Sequence, residues 1–150
     1  MPTRPTPAEP KPDQPTAPVL LDTHVWVWWL NGDDRLAGSA RSALAELSHW
    51  RGGLYVAAIS LWEIGMLCAK GRLELLPDLP QWVHDALNYV VVIPLTAPIA
   101  LASAQLPDFY GDPADRMIVA TAQHHHLRLA THDTRLLQWA SQHSLATLAV

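Results

Sequence analysis

Short apolar runs alternate with segments whose apolar residues recur at helical spacing, and this alternation limits the fold of the chain more than any other feature. "VLLD" (19–22) is an apolar run ending in an acid, and "THVWVWWLNG" continues from it at helical spacing as far as Asn31-Gly32. The unit recurs. "RLAGSARSALAEL" (35–47) reads as a helix, "LYVAA" (54–58) as a buried strand and "SLWEIGMLCAKGR" (60–72) as a helix stopped near Gly71. "QWVHDALNY" (81–89) is helical, "VVVI" (90–93) is strand-like, and "APIALASAQL" (97–106) is a helix behind a Thr96 cap. In "GDPADRMIVATAQHH" (111–125), Asp112 stands as N-cap with Pro113 at the first helical position. "LRLAT" (127–131) is a strand, "TRLLQWASQH" (134–143) a helix, and residues 145–149 a last strand. Such an order calls for an α/β fold of three α/β/α layers, its central sheet mainly parallel and covered on both faces. Neither GxGxxG nor GxxxxGK[ST] occurs, so a nucleotide-binding loop is unsupported.

At 150 residues the chain is one domain with enough length for a sizeable core. The first 18 residues hold seven of the 13 prolines and almost no large apolar side chains, so residues 1–18 are expected to form a disordered tail ahead of a folded domain over 19–150. Within that tail Arg4 and Lys11 balance Glu9 and Asp13, which leaves the whole net charge of -4 on the domain. A protein that grips nucleic acid by bulk charge is normally basic; here a local feature must overcome the acid excess. The lone cysteine, Cys68, excludes a disulfide framework and a multi-cysteine zinc site. No apolar run is long enough to span a bilayer and no signal segment precedes the domain, so a cytoplasmic location is expected.

Placed on this outline, the carboxylates fall in one kind of place. Asp22 ends the first strand, Glu63 lies in the helix after the second, Asp115 lies in the first turn of a later helix, and Asp133 follows "LRLAT". All belong at the carboxyl edge of a parallel sheet, where ligands bind in open α/β folds. Acids converging there repel one another unless a cation sits between them, and oxygen donors suit Mg²⁺ or Mn²⁺ rather than zinc. Each also has a structural alternative. Ser60 and Glu63 fit the S-x-x-E capping box, Asp115 suits a helix dipole, and Asp133 and Asp22 could serve as N-caps.

The motifs "LLDTHVWVWWL", "ISLWEIGML", "GDPADRMIVATA" and "LATHD" occur in the order and approximate spacing of the PIN domain, and the chain resembles in particular the VapC-type toxin ribonucleases of toxin–antitoxin pairs. The resemblance covers residues 19 to about 148. It implies Mg²⁺- or Mn²⁺-dependent hydrolysis of RNA phosphodiesters by a metal-activated water, with Asp22, Glu63, Asp115 and Asp133 as the catalytic and metal-binding acids. It further implies a homodimer inhibited by a cognate VapB-like antitoxin, and products carrying a 5′-phosphate and a 3′-hydroxyl. The last motif departs from the pattern, since "THDTRLL" lacks the aromatic residue that relatives often carry just beyond the acid. Bound divalent ions would offset the four carboxylates and leave the domain nearly neutral toward a phosphate backbone. Arg35, Lys70, Arg72, Arg116 and Arg135 are candidates to hold RNA, Arg116 above the others because it adjoins Asp115.

Two rivals are weighed against this. A haloacid-dehalogenase-like phosphatase also starts with a strand ending in Asp, but its chemistry needs a second acid two residues on, where this chain has His24. The other is a PIN-like module that binds RNA or protein without catalysis. The tract "HHH" (124–126) reads as a helix end rather than a metal site. Trp26, Trp28 and Trp29 are too many indoles for one short helix to bury, so at least one is expected at a dimer contact.

Overall fold

The computed structural model describes residues 17–150, so the expected proline-rich tail lies, up to residue 16, outside the described residues. The elements run β1 (Val19–Leu21), α1 (Thr23–Asn31), α2 (Gly38–Ser48), β2 (Leu54–Ala57), α3 (Ala58–Ala69), α4 (Leu79–Ala86), β3 (Val91–Ile93), α5 (Ala97–Ala104), α6 (Pro113–His124), β4 (Arg128–Thr131), α7 (Thr134–Gln142) and β5 (Thr147–Ala149). The strands form one sheet in the order β3-β2-β1-β4-β5, parallel throughout. The alternation of the sequence is thus realised as a central parallel sheet between helical layers.

β1 is the middle strand, and Val19, Leu20 and Leu21 are completely buried. Successive strand residues point to opposite faces. Val19 and Leu21 accordingly join one core with Val25 and Trp26 of α1, Leu44 of α2 and Trp82 of α4. Leu20 joins the other, with Ile118 of α6 and Leu136 and Trp139 of α7. Burying each such aliphatic side chain contributes about 1.5–3 kcal/mol, so β1 is pinned from both sides. The chain leaves β1 for β2 and β3 on one flank, then crosses to β4 and β5 on the other. The order therefore reverses between β1 and β4, which opens a crevice at their carboxyl ends.

Local signals set several helix ends as the sequence suggests. Gly32 closes α1 in the left-handed conformation (φ 65°), Thr96 caps α5, and Asp112 caps α6 with Pro113 at its first position. α2 starts later than its periodicity suggests, at Gly38, because Asp33 and Arg35 form a turn closed by a 2.6 Å ion pair. α4 starts and ends earlier than expected, with Asp78 accepting the Gln81 N–H. The three indoles are covered unequally. Trp26 and Trp28 are buried and Trp29 is half-buried against Tyr89, because α4 brings Trp82 edge-on to Trp26 at 5.3 Å and His132 covers Trp28 at 5.1 Å. Cys68 is half-buried against the same core. Among the described residues, no helix is long and apolar enough to cross a membrane.

Candidate active site

Asp22 is the first residue beyond β1. Its N–H still reaches the Ala130 carbonyl at 2.9 Å, so the sheet positions it before α1 begins. One carboxylate oxygen accepts the Thr23 N–H at 2.7 Å as the N-cap of α1, and the other accepts the Thr131 hydroxyl at 2.8 Å. Asp22 is therefore a cap and a pocket residue at once. Only 6% of it is exposed, and burial raises its pKa against the lowering effect of Thr131, the Thr23 N–H and the nearby His24; the charge of Asp133 raises it further.

Thr131 ends β4 and links two acids across the crevice. While donating to Asp22, its hydroxyl accepts the Asp133 N–H at 3.1 Å. Asp133 caps α7 through the Arg135 and Leu136 N–H groups at 2.8 and 3.4 Å. The capping alternative read from sequence holds, and the carboxylate still adds its charge to Asp22 and Asp115.

Glu63 is the residue on which the sequence left two meanings open. α3 begins at Ala58 behind Ala57, which supplies no side-chain cap, so Ser60 is already the third helical residue and cannot form the capping box. Its hydroxyl instead accepts the Thr23 hydroxyl at 2.9 Å, both groups being buried. Glu63 sits one turn beyond Ser60 on the same face, 8% exposed, and its Oε1 has no hydrogen-bond partner. Burial raises its pKa, the Thr23 hydroxyl works against that rise, and the charges of Asp22 and Asp112 add to it.

Asp115 lies in the first turn of α6, where its N–H donates to Asp112 at 2.8 Å. Its carboxyl is pushed up to about 7 by burial first, then by the charges of Asp112, Asp22, Glu63 and Asp133. Of the four acids named from sequence, Asp115 thus feels the charges of the other three, and Asp112 adds to them. Among the described residues, no three His, Cys, Asp or Glu side chains are placed so that together they could hold a metal ion.

Arg116 behaves differently from its sequence assignment as an RNA contact. Its guanidinium donates to the Ser103 and Phe109 carbonyls at 3.2 and 2.6 Å and lies 5.5 Å over the Phe109 ring, bracing the loop before α6. Sequence reasoning also passed over Thr23 and Thr131, and read Ser60 only as a cap. Their signal was modest: small hydroxyl residues at the ends of apolar strands, beside acids.

The raised carboxyls make the metal-free protein pH-sensitive. Asp22, Glu63 and Asp115 ionise near the ordinary values of 3.8 for Asp and 4.5 for Glu when unfolded, and at higher pH when folded. Between these limits the folded state binds more protons, so its stability is full below the unfolded values and is lost as pH rises through the folded ones. In EDTA the melting temperature should therefore fall from pH 5 to pH 8. A melting temperature in EDTA that climbs over this range would mean that the acids do not burden one another.

Fold and site together define an α/β/α domain of the PIN-like class, with a carboxylate pocket at the switch point of a parallel sheet. The PIN domain family profile matches residues 19–141. The chain belongs to the PIN domain family. It is 39% identical over 119 residues to Ribonuclease VapC22 of Mycobacterium tuberculosis, a match spanning 79% of this chain and 88% of that protein. Among solved structures it is similar to VapBC2 from Rickettsia felis bound to a DNA fragment from its promoter, with a TM-score of 0.66, 15% identity, and 89% and 98% of the two chains covered. It is also similar to a toxin–antitoxin complex from Klebsiella pneumoniae, with a TM-score of 0.55, 25% identity, and 78% and 88% covered.

Proposed function

We propose that this chain is an endoribonuclease toxin that hydrolyses RNA phosphodiester bonds with the help of Mg²⁺ or Mn²⁺ and is held in check by a VapB-like antitoxin. The observation that carries the reading is Glu63, a buried carboxylate with one unpartnered oxygen, whose charge acts on Asp115 and is acted on by that of Asp22. An orphaned buried acid is costly, and a hard divalent cation is the partner that oxygen donors alone would suit. The donor chemistry suits the group, and Asp22, Glu63, Asp115 and Asp133 would hold it. Bound there, the cation supplies a lower pKa for water and neutralises charge developing on the phosphate.

The remaining work falls to the chain itself. Thr131 and the Thr23 N–H hold Asp22 in one orientation, and each of its oxygens keeps a lone pair free of these bonds. Asp115, with a pKa of about 7, exchanges a proton near neutral pH and ionises fully once positive charge is near. Asp133 is fixed by capping α7 and supplies negative potential from the far side of the crevice. Water rather than the ribose 2′-hydroxyl is the nucleophile in this scheme, which is why 5′-phosphate and 3′-hydroxyl ends are expected.

The antitoxin partner follows from the similarity to a toxin–antitoxin complex and from the acidic pocket, which would accept an Arg or Lys of a partner segment. The reading includes a cytoplasmic homodimer, and Trp62 of α3 and Leu101 of α5 are exposed apolar side chains available for the second copy. The test is cleavage of an unstructured RNA with Mn²⁺, with Mg²⁺ and with EDTA. Cation-dependent cleavage leaving 5′-phosphates is the expected result. Cleavage in EDTA leaving cyclic phosphates would refute the mechanism, and tight RNA binding without cleavage under any cation would favour a non-catalytic module.

A further inference from the structure

Beside the acid pocket, the 108–111 loop and α7 enclose a cleft of about 260 Å³ that includes Asp115 and Asp133 in its wall. This is less than the roughly 300–1,000 Å³ of sites for whole drug-sized ligands, and suits one flat ring system. Its back is rigid. Phe109 is buried edge-on to Trp139 at 5.3 Å, and the Trp139 indole N–H donates to the Pro107 carbonyl at 2.8 Å. Arg116 clamps the Phe109 carbonyl from behind. Gly111 is required where the chain turns, because a Cβ there would collide with the Phe109 ring.

The mouth is the opposite in character. Tyr110 is 92% exposed, the largest exposure of any large hydrophobic residue described. Arg135, Gln138 and Gln142 also line the cleft, and among the described residues their side-chain nitrogens and oxygens make no hydrogen bond within the protein. A free aromatic face, two free amides that both donate and accept, and one free cation are the groups that take up a splayed-out base of single-stranded RNA. The shared wall matters most. Because Asp115 and Asp133 also line the cleft, a nucleotide next to a phosphate held at those acids lies within reach of its mouth.

Resting on the ribonuclease reading above, we infer that the cleft is a base-recognition pocket: it takes the nucleobase of a nucleotide flanking the scissile phosphate, with Tyr110 stacked on the ring, Gln138 and Gln142 meeting its edge, and Arg135 on the adjoining phosphate. Phe109, Trp139 and Arg116 are positioning residues that keep the pocket in shape. The sequence preference of cleavage therefore resides in this cleft rather than in the acids.

The test has a binding arm and a cleavage arm. In the binding arm, Tyr110→Ala is made in an Asp22→Asn background, which keeps the RNA intact, and anisotropy of labelled single-stranded octanucleotides is measured. Affinity should fall about tenfold, within the range that stacking of one base contributes, with the melting temperature unchanged because Tyr110 is exposed. In the cleavage arm, single Tyr110→Ala should raise KM about tenfold with kcat within about threefold, and Gln138→Ala should flatten the base preference next to the cut. Affinity and preference unchanged in both variants would overturn the pocket. So would a Tyr110→Ala protein whose RNA affinity holds while its antitoxin affinity falls, since that assigns the cleft to a protein partner. An inactive wild type whose binding still depends on Tyr110 would defeat the nuclease reading and leave the pocket standing, so the two failures are distinguishable.

Discussion

Asp22→Asn should reduce single-turnover RNA cleavage by about a hundredfold to a thousandfold or more at saturating Mn²⁺, a loss of about 3–4 kcal/mol of transition-state stabilisation. The substitution removes a charge from the centre of the pocket and leaves the volume unchanged. It should also leave the fold in place. The carboxamide oxygen can still accept the Thr23 N–H, and the carboxamide nitrogen can donate to the Thr131 hydroxyl, whose two lone pairs can take that bond and the one from the Asp133 N–H together. Because burial raises the Asp22 pKa, a neutral group there is easier to bury, and the melting temperature in EDTA at pH 8 should hold or rise. Cleavage near the wild-type rate would remove Asp22 from the chemistry. A collapse of the melting temperature would mean that the carboxamide does not reproduce the bonds to Thr23 and Thr131.

For Glu63→Gln the largest effect is expected on cation binding. With Ser60 held by Thr23 and α3 starting at Ala58, no capping box exists to be lost, so a change in activity reports on the pocket. The variant should lose most of the Mn²⁺-dependent rise in melting temperature and cut cleavage at least about tenfold to a hundredfold. In EDTA its stability at pH 8 should match or exceed the wild type, because a buried negative charge with one unpartnered oxygen, repelled by Asp22, is gone. At pH 5 the gap should narrow as the wild-type carboxyl takes up its proton. Paired melting curves with and without Mn²⁺ at the two pH values decide the matter; an active variant with an unaltered Mn²⁺ response would make Glu63 a structural residue.

Two features that the local sequence pattern does not carry have the same origin. Arg116 adjoins Asp115 in the chain, but consecutive helical residues point about 100° apart, so the neighbour of a pocket acid turns away from the pocket. Here it turns to the Ser103 and Phe109 carbonyls. The tryptophans of α1 were too many for one helix to bury by itself, and Trp82, more than fifty positions away, supplies the missing cover and bonds through its indole N–H to Asn31. Neither partner leaves a mark in the local pattern.

By itself the sequence determined the elements and their stacking: apolar triplets such as Val19–Leu21 can be buried only between two layers, and Asp112-Pro113 and Gly32 announce helix ends through groups within their own turn. It also placed the acids at one edge, because in a parallel sheet every strand delivers its next residue to the same side. Tertiary structure alone decided where Glu63 lies and that it closes no capping box. The register of β2 against β3, with Ala57 paired to Ile93, starts α3 two residues before Ser60, and the Thr23 and Thr131 hydroxyls that organise the pocket come from elements distant in the chain. Capping depends on a few neighbouring residues and can be read locally, whereas the burial of a carboxylate depends on every element packed around it.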